Sequence, residues 1–496
     1  MKTLIRTSIA LVVVALAAGV FAQKAVRTKG VDLPGVKFNL IQLNDIYEIT
    51  PIRGEGGMAK TATLYNSLKL QNPNTFVVVA GDFFSPSALG TAKVDGERLA
   101  GKQMVAIMNA VPVKLVTFGN HEFDVNEKQF GMRMAESKFD WVSSNVWTKQ
   151  KTSFPNVPEN RIEVYKNGSA EVRVGYFGVT LPANKAAFVE YSDYMEAAAK
   201  QVKELRPKVD VLIAITHLAY EDDIKLAARF PEIDLIIGGH EHVRHQIEIG
   251  SLAGIYKADA NARSAFVHEI GFDPLTRRMS HKATLRQLDA SVPEDPTVKA
   301  EVDKWVEIAF AGFRKDGFNP ETLVATVPED LDGKEDTVRF TSSNLSKIIA
   351  DGMISAAPGV DLAIYNGGSI RIDDVIPAGP MTEYDVIRVL PFGGKIVQIE
   401  MKGSLLAKAL DQGAANRGNG GYLQTANVTG EVGKWSVKGA ALDPNKTYKV
   451  AISDFLLTGL EQNLGFLKKD NPDIKVIAEL VDIRNSTIAQ LKKLFK

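Results

Sequence analysis

Residues 113–124 read Val-Lys-Leu-Val-Thr-Phe-Gly-Asn-His-Glu-Phe-Asp. An apolar, β-rich run stops abruptly at Gly119-Asn120, and His121, Glu122 and Asp124 follow at once. The same pattern recurs on both sides of it, in the runs Lys37–Leu43, Thr75–Ala80, Trp141–Val146, Val172–Val179, Val209–Thr216 and Ile233–Ile237. Each ends in or near Gly, Asn, Asp or His, and helical sequence often follows. Runs rich in Val, Ile and Leu with little alternation predict strands buried on both faces and covered by helices. That is an α/β layered domain, in which ligands sit beyond the strand ends.

What stands at those ends is chemically consistent. Asn44-Asp45 follows the first run and Gly81-Asp82 the second. His217 closes the sixth, and Gly238-Gly239-His240-Glu241-His242 the seventh. The chain has only 7 histidines, so four of them in this setting is a strong bias. Singly, a strand-end Asp reads as a turn or helix cap and a lone His as packing. Strand ends on one sheet edge converge, however, so Asp82, Asn120, His217 and His240 offer a carboxylate, an amide oxygen and two imidazoles together. That donor set suits Zn²⁺, Mn²⁺, Co²⁺ or Mg²⁺. His240 and His242 are two apart, so in extended chain they share a face and reach neighbouring metals.

Composition narrows the field. The chain has 496 residues, 45% apolar and 24% charged, which excludes a disordered tail, a collagen-like fibre and a multi-span membrane protein. Lys+Arg and Asp+Glu are both 59, so nothing draws it generally to nucleic acid polymers or anionic membranes. There are no cysteines, which excludes disulfides, thiolate metal sites and a Cys nucleophile. Residues 1–22 carry Lys2 and Arg6 ahead of an uncharged stretch, Ser8 to Gly19, and end Val-Phe-Ala. This is the pattern of a secretory signal peptide, and it predicts a periplasmic or secreted protein with no membrane association after cleavage.

Near residue 290 the texture changes. Ser291-Val-Pro-Glu-Asp-Pro296 is a breaker cluster, and Val298, Val302, Trp305, Ala309 and Phe313 then predict an amphipathic helix over 297–315. A second region follows, mixing helices (Asn344–Met353, Gly403–Gln412) with strands (Asp361–Tyr365, Lys395–Met401, Lys446–Ile452) and a flexible loop, Asn416–Gly421. No internal repeat is evident, and the expectation is two domains joined by a helix.

The ordered set Asp45, Gly81-Asp82, Gly119-Asn120-His121-Glu122, His217 and Gly239-His240-Glu241-His242 resembles the metallophosphoesterase signature. Asn366-Gly-Gly-Ser-Ile-Arg371, Leu390-Pro-Phe392-Gly-Gly394 and Asp454-Phe455-Leu resemble the C-terminal domain of the secreted two-domain 5′-nucleotidase family. The resemblance runs from about residue 36 to 485. It implies an N-terminal four-layer αββα sandwich (35–290), a linker helix (291–320) and a smaller α/β substrate-binding domain (321–496), after the signal peptide (1–22). It also implies two divalent metal ions. Asp82 would bridge them, Asn120, His217 and His240 would complete one site, and Asp45 and His242 would serve the other. His121 would contact the phosphoryl group or leaving oxygen, oriented by Asp124. Arg339, Asn366 and Arg371 would grip substrate, and Phe392 and Phe455 would sandwich a nucleobase.

Two departures matter. The family places His two residues after the first aspartate, whereas this chain has Asp45-Ile46-Tyr47. The family's Gly-Gly-Asp after the second ring is replaced by Gly459-Leu460-Glu461. The implied activity is hydrolysis of nucleoside 5′-phosphates by metal-activated water. Hydrolysis of nucleotide sugars or cyclic nucleotides at the same site, and non-catalytic nucleotide binding with a degraded first metal site, are the alternatives.

Overall fold

The protein is described by a computed structural model covering residues 25–28 and 33–495; the expected signal peptide lies outside these residues. Two sheets form the N-terminal part. The first runs, in order, Val26–Thr28, Arg278–Gln287, Ser264–Asp273, Val36–Leu43, Thr75–Val79, Val113–Val116, Asp140–Trp141. The second runs His245–Ile247, Gly254–Lys257, Leu235–Gly238, Val211–His217, Ala170–Thr180, Asn160–Asn167. Strand side chains alternate between two different cores. Phe38, Leu40, Val78, Tyr176, Ile213 and Ile215 meet between the sheets. Their neighbours Ile41, Val77 and Val79 face the helices Met58–Gln71 and Lys102–Ala110, while Phe177, Leu212 and Ala214 face Tyr194–Leu205 and Tyr220–Arg229. Apolar residues at both phases of a period-two strand are what a layer covered on both sides requires. The result is four layers, α/β/β/α.

The strands that carry Asp45, Asp82 and Asn120 are adjacent and parallel, and so are those that carry His217 and His240. Their C-terminal ends therefore open on one edge of the sandwich. The run Trp141–Val146 is not one strand. It splits into Asp140–Trp141 and Val146–Thr148 because Asn145 is buried and bonds through its side chain to both backbone groups of Thr180 and to Ser192 O.

The helix Pro296–Lys315 starts at an Asp295 cap and lies against Met58–Gln71 and Lys102–Ala110, so it belongs to the outer helical layer. Beyond it, the sheet Leu423–Ala426, Leu362–Asn366, Thr447–Ser453, Lys395–Lys402, Ile474–Asp482 carries Asn344–Ala356 and Ile483–Leu494 on one face. Gly403–Ala415 covers the other. The loop 416–421, expected to be flexible, is tethered: Asn416 is buried and donates to Gly421 and Gln462 carbonyls, and Gly368 N–H donates to Gly420. Among the described residues no helix is long and apolar enough to cross a membrane.

Between the two sheets lies a polar chain. Gln42 gives its amide hydrogens to the carbonyls of Tyr256 (2.6 Å) and Gly238 (3.1 Å), so its Oε1 accepts from His268 Nε2 at 2.8 Å. His268 Nδ1 then accepts from His281 Nε2 at 3.0 Å. Burial holds His268 well below the usual imidazole range, and burial with the nearby Arg27 charge pushes His281 down to about 4. Below about pH 6.5 the unfolded chain takes up protons that the native pair refuses. Stability should therefore fall as pH drops from that value toward 4, and less steeply in His268→Gln. Thermal melts across this window check it; a pH-independent offset between the two proteins would rule it out.

Candidate active site

The backbone first builds an unusual floor. Asp45, Asp82 and His240 have φ of 53°, 58° and 86°, in the left-handed region that side chains avoid. Such conformations persist only where their surroundings enforce them, and they cluster at functional sites. Here the enforcement is visible. Glu122, fully buried, accepts N–H groups from Asp82 (2.9 Å), Phe83 (2.7 Å) and Gly119 (2.5 Å). Burial and the Asp82 charge push its carboxyl up to about 7. A Cβ on Gly119 would stand 2.0 Å from Asp82 Oδ1, so only glycine fits beside that carboxylate. Beneath the Gly239–His242 loop, the buried Lys257 donates to Leu218 O (2.6 Å) and pairs with Asp223 (2.9 Å) and Glu241.

The side chains then converge. Asp45 Oδ2 is held by Asn44 Nδ2 (2.8 Å) and His240 N–H (2.9 Å), and Asp82 Oδ1 by His121 N–H (2.7 Å). The other oxygens, Asp45 Oδ1 and Asp82 Oδ2, lie 4.0 and 3.1 Å from His217 Nε2. His217 Nδ1 is 2.8 Å from Ala80 O and gives its hydrogen there, so Nε2 presents a lone pair toward carboxylate oxygens. Opposed lone pairs call for a proton or a cation between them. Against the cost of burial, Asp82 and Asp45 push His217 up to about 10, and His217 with His121 holds Asp82 low. Among the described residues, Asn120 Oδ1 and His217 Nε2 are buried without hydrogen-bond partners. Asp45, Asp82 and His217 offer ligand atoms within 4.8 Å of one another. The His240 ring is 5.4 Å from that of His217, and burial, then the His217 charge, lowers it to about 3, leaving a free imidazole lone pair. These residues fit a metal ion, which would take the place of the protons.

Tyr47 occupies the centre of the remaining group. Its hydroxyl is 3.2 Å from Asp45 Oδ1, 3.2 Å from Asp82 Oδ2 and 3.0 Å from His242 Nε2. With His242 Nε2 unprotonated, one O–H faces three acceptors, which leaves room for a second positive charge, a proton on His242 or a cation. Burial and the two aspartates hold this phenol well above its usual pKa.

His121 and Asp124 form the expected pair, Nδ1 to Oδ2 at 2.7 Å. Burial opposes protonation of His121, but Asp124 and Asp82 outweigh it and raise the imidazole. Asn184, which sequence reading missed, donates to Asp124 Oδ1 at 2.7 Å.

The second domain closes the space. Arg339, Asn366, Arg371, Phe392 and Phe455 line the same cleft, of about 1870 Å³, as Asp82, Asn120, His121, His240 and His242. Phe392 and Phe455 are 38% and 42% exposed, so neither ring is buried in the core. The Arg371 guanidinium lies over Phe392 at 5.5 Å. Arg339 pairs with Glu335. Asn366 donates to Glu461 at 2.7 Å, so the Gly459-Leu460-Glu461 departure faces this cleft. Glu122 and Asp373 were also missed, although both stand inside or beside motifs already singled out.

This fold and this site define a class. Residues 38–244 match the calcineurin-like phosphoesterase family and residues 323–468 the 5′-nucleotidase C-terminal domain. The chain belongs to the family that joins these two domains, whose metallophosphoesterase half implies divalent metal ions. Among individual relatives, it is 27% identical over 462 residues to the trifunctional nucleotide phosphoesterase YfkN of Bacillus subtilis, covering 81% of this chain but 31% of that one. It is 26% identical over 413 residues to human 5′-nucleotidase, covering 75% of this chain and 69% of the other. The 5′-nucleotidase precursor of Thermus thermophilus superposes with a TM-score of 0.75 at 25% identity, over 92% of this chain and 97% of that one. The sulfate thiohydrolase SoxB of the same organism superposes at 0.68 with 14% identity, over 94% of this chain and 96% of that one. That second likeness is one of fold alone.

Proposed function

We propose that the protein is a metal-dependent phosphomonoesterase that hydrolyses nucleoside 5′-phosphates to nucleoside and phosphate. The single observation that carries this reading is the shared cleft, lined both by carboxylate and imidazole groups and by two exposed rings. Two divalent ions fit the donor set. Asp82, Asn120, His217 and His240 would hold one, and Asp45, Asp82 and His242 the other. Divalent ions there supply a more acidic water and neutralise phosphoryl oxygens. His121, its Nδ1 engaged by Asp124, presents Nε2 to the leaving oxygen and delivers the proton that oxygen needs. Arg339 and Arg371 pair with phosphate oxygens, and Asn366 reads a hydroxyl. Phe392 and Phe455 stack on the base. In this reading 35–290 carries the chemistry, 291–320 the connection and 321–496 the substrate grip, and residues 1–22 export the protein to the periplasm or medium.

A cleft of about 1870 Å³ exceeds the usual ~300–1,000 Å³ of small-molecule pockets. That favours, as a second reading, longer esters such as nucleotide sugars. Released product from AMP, UDP-glucose and 2′,3′-cyclic AMP, measured after chelation and re-metallation, separates these. Phe392→Ala or Phe455→Ala should raise KM for AMP by the equivalent of about 1–3 kcal/mol. Turnover of p-nitrophenyl phosphate, which has no base, should change little. Equal losses on both substrates would reduce the rings to supports of the fold.

A further inference from the structure

Histidines that bind metals give their second N–H to a fixed acceptor, which sets the tautomer and the direction of the lone pair. For His217 that acceptor is Ala80 O, in its own domain. For His242 it is Asp373, which lies 131 residues further along the chain and in the other domain. Asp373 is itself firmly placed. Its Oδ1 accepts the Glu335 N–H at 2.7 Å, its φ is a strained 38°, and its neighbour Asp374 pairs with Arg263 of the N-terminal domain. A third cross-domain contact stands next to Tyr47, where buried Glu48 accepts the Tyr384 hydroxyl at 3.0 Å and faces Arg388 at 3.6 Å.

We propose that Asp373 is a positioning residue for His242, so that the first metal site reaches full affinity only when the two domains are closed on each other. With Nδ1–H engaged by Asp373, the Nε2 lone pair points at the Tyr47 hydroxyl (3.0 Å) and Asp45 Oδ1 (3.7 Å), the place where the ion of this first site would sit. Separation of the domains removes the acceptor, frees the ring to rotate and weakens a site that already lacks the usual imidazole at position 47. By linkage, an ion at that site favours closure by the same factor. The other site draws its ligands and their supports from the N-terminal domain and is indifferent to the movement. The inference rests on the metal-centre reading above and extends it to regulation of one ion by domain position.

Metal-free full-length protein titrated with Mn²⁺, with bound and free ion separated by equilibrium dialysis, tests it. The unmodified protein should show one tight and one weaker class. Asp373→Ala should weaken the weaker class alone, by roughly 10–100-fold. Asp373→Asn, which keeps an acceptor but not the charge, should lose less. Small-angle scattering should show Mn²⁺ contracting the unmodified protein and not Asp373→Ala. An unchanged weaker class in Asp373→Ala overturns the proposal, as does a parallel fall of both classes, which would mark general damage. Failure of the unmodified protein to bind Mn²⁺ would instead remove the metal-centre reading, and the proposal with it.

Discussion

Replacing His121 by alanine is expected to lower kcat by roughly 10²–10⁴ while leaving bound metal unchanged. The separation of the two effects follows from which atoms do what. The backbone N–H of His121 holds Asp82 Oδ1 at 2.7 Å, and the substitution keeps that N–H. Glu122 continues to gather the N–H groups of Asp82, Phe83 and Gly119. Only the imidazole is lost, together with its contacts to Asp124 (2.7 Å) and Asn184 (3.1 Å). Neither contact includes a proposed metal ligand. Elemental analysis beside steady-state kinetics decides the matter, and loss of metal from His121→Ala would assign the residue a different role.

The second large effect is expected at Tyr47. The proposed site of Asp82, Asn120, His217 and His240 would have its full set of ligands and should hold one divalent ion tightly. The other has a neutral phenol, held protonated by burial and the aspartates, where the family has an imidazole. A phenol must lose its proton before it binds metal, whereas a neutral imidazole need not. One ion should therefore survive dialysis at neutral pH and the second should be lost, with activity rising in excess Mn²⁺ or Co²⁺. Tyr47→His should tighten the weak site. The 3.0 Å approach of the hydroxyl to His242 Nε2 places the side chain within reach of that centre. Two tightly held ions in the unmodified protein would sink the idea. A visible charge-transfer band would point to a ferric phenolate, since Fe³⁺ acidifies phenol far more strongly than Zn²⁺ does.

The central strands were legible because burial on both faces leaves a continuous apolar run, and the residue after each run could be read off directly. Asp45, Asp82, Asn120, His217 and His240 all follow that rule. The strands Asn160–Asn167 and Arg278–Gln287 did not announce themselves. Both are half-exposed, and Arg-Met-Ser-His-Lys-Ala-Thr-Leu-Arg-Gln carries too few apolar residues to stand out from loop. Long-range partners were equally silent. Nothing near Asp373 in the chain points to His242, and nothing near Asn184 points to Asp124; those contacts exist only once the layers and domains are assembled. Tyr47 was legible as a departure, but its position among three acceptors was not, since that depends on where the Asp45 backbone turns.

The left-handed conformations of Asp45, Asp82 and His240 also bear on how such a chain can change over evolutionary time. Each costs of order 1–3 kcal/mol that glycine would largely recover. Ancestry that no longer selects for turnover would meet a downhill route at these positions, since the replacements that would abolish the proposed chemistry are also those that relax the backbone. A descendant that kept the sandwich but not the activity should therefore carry Gly there, and be the sturdier molecule for it.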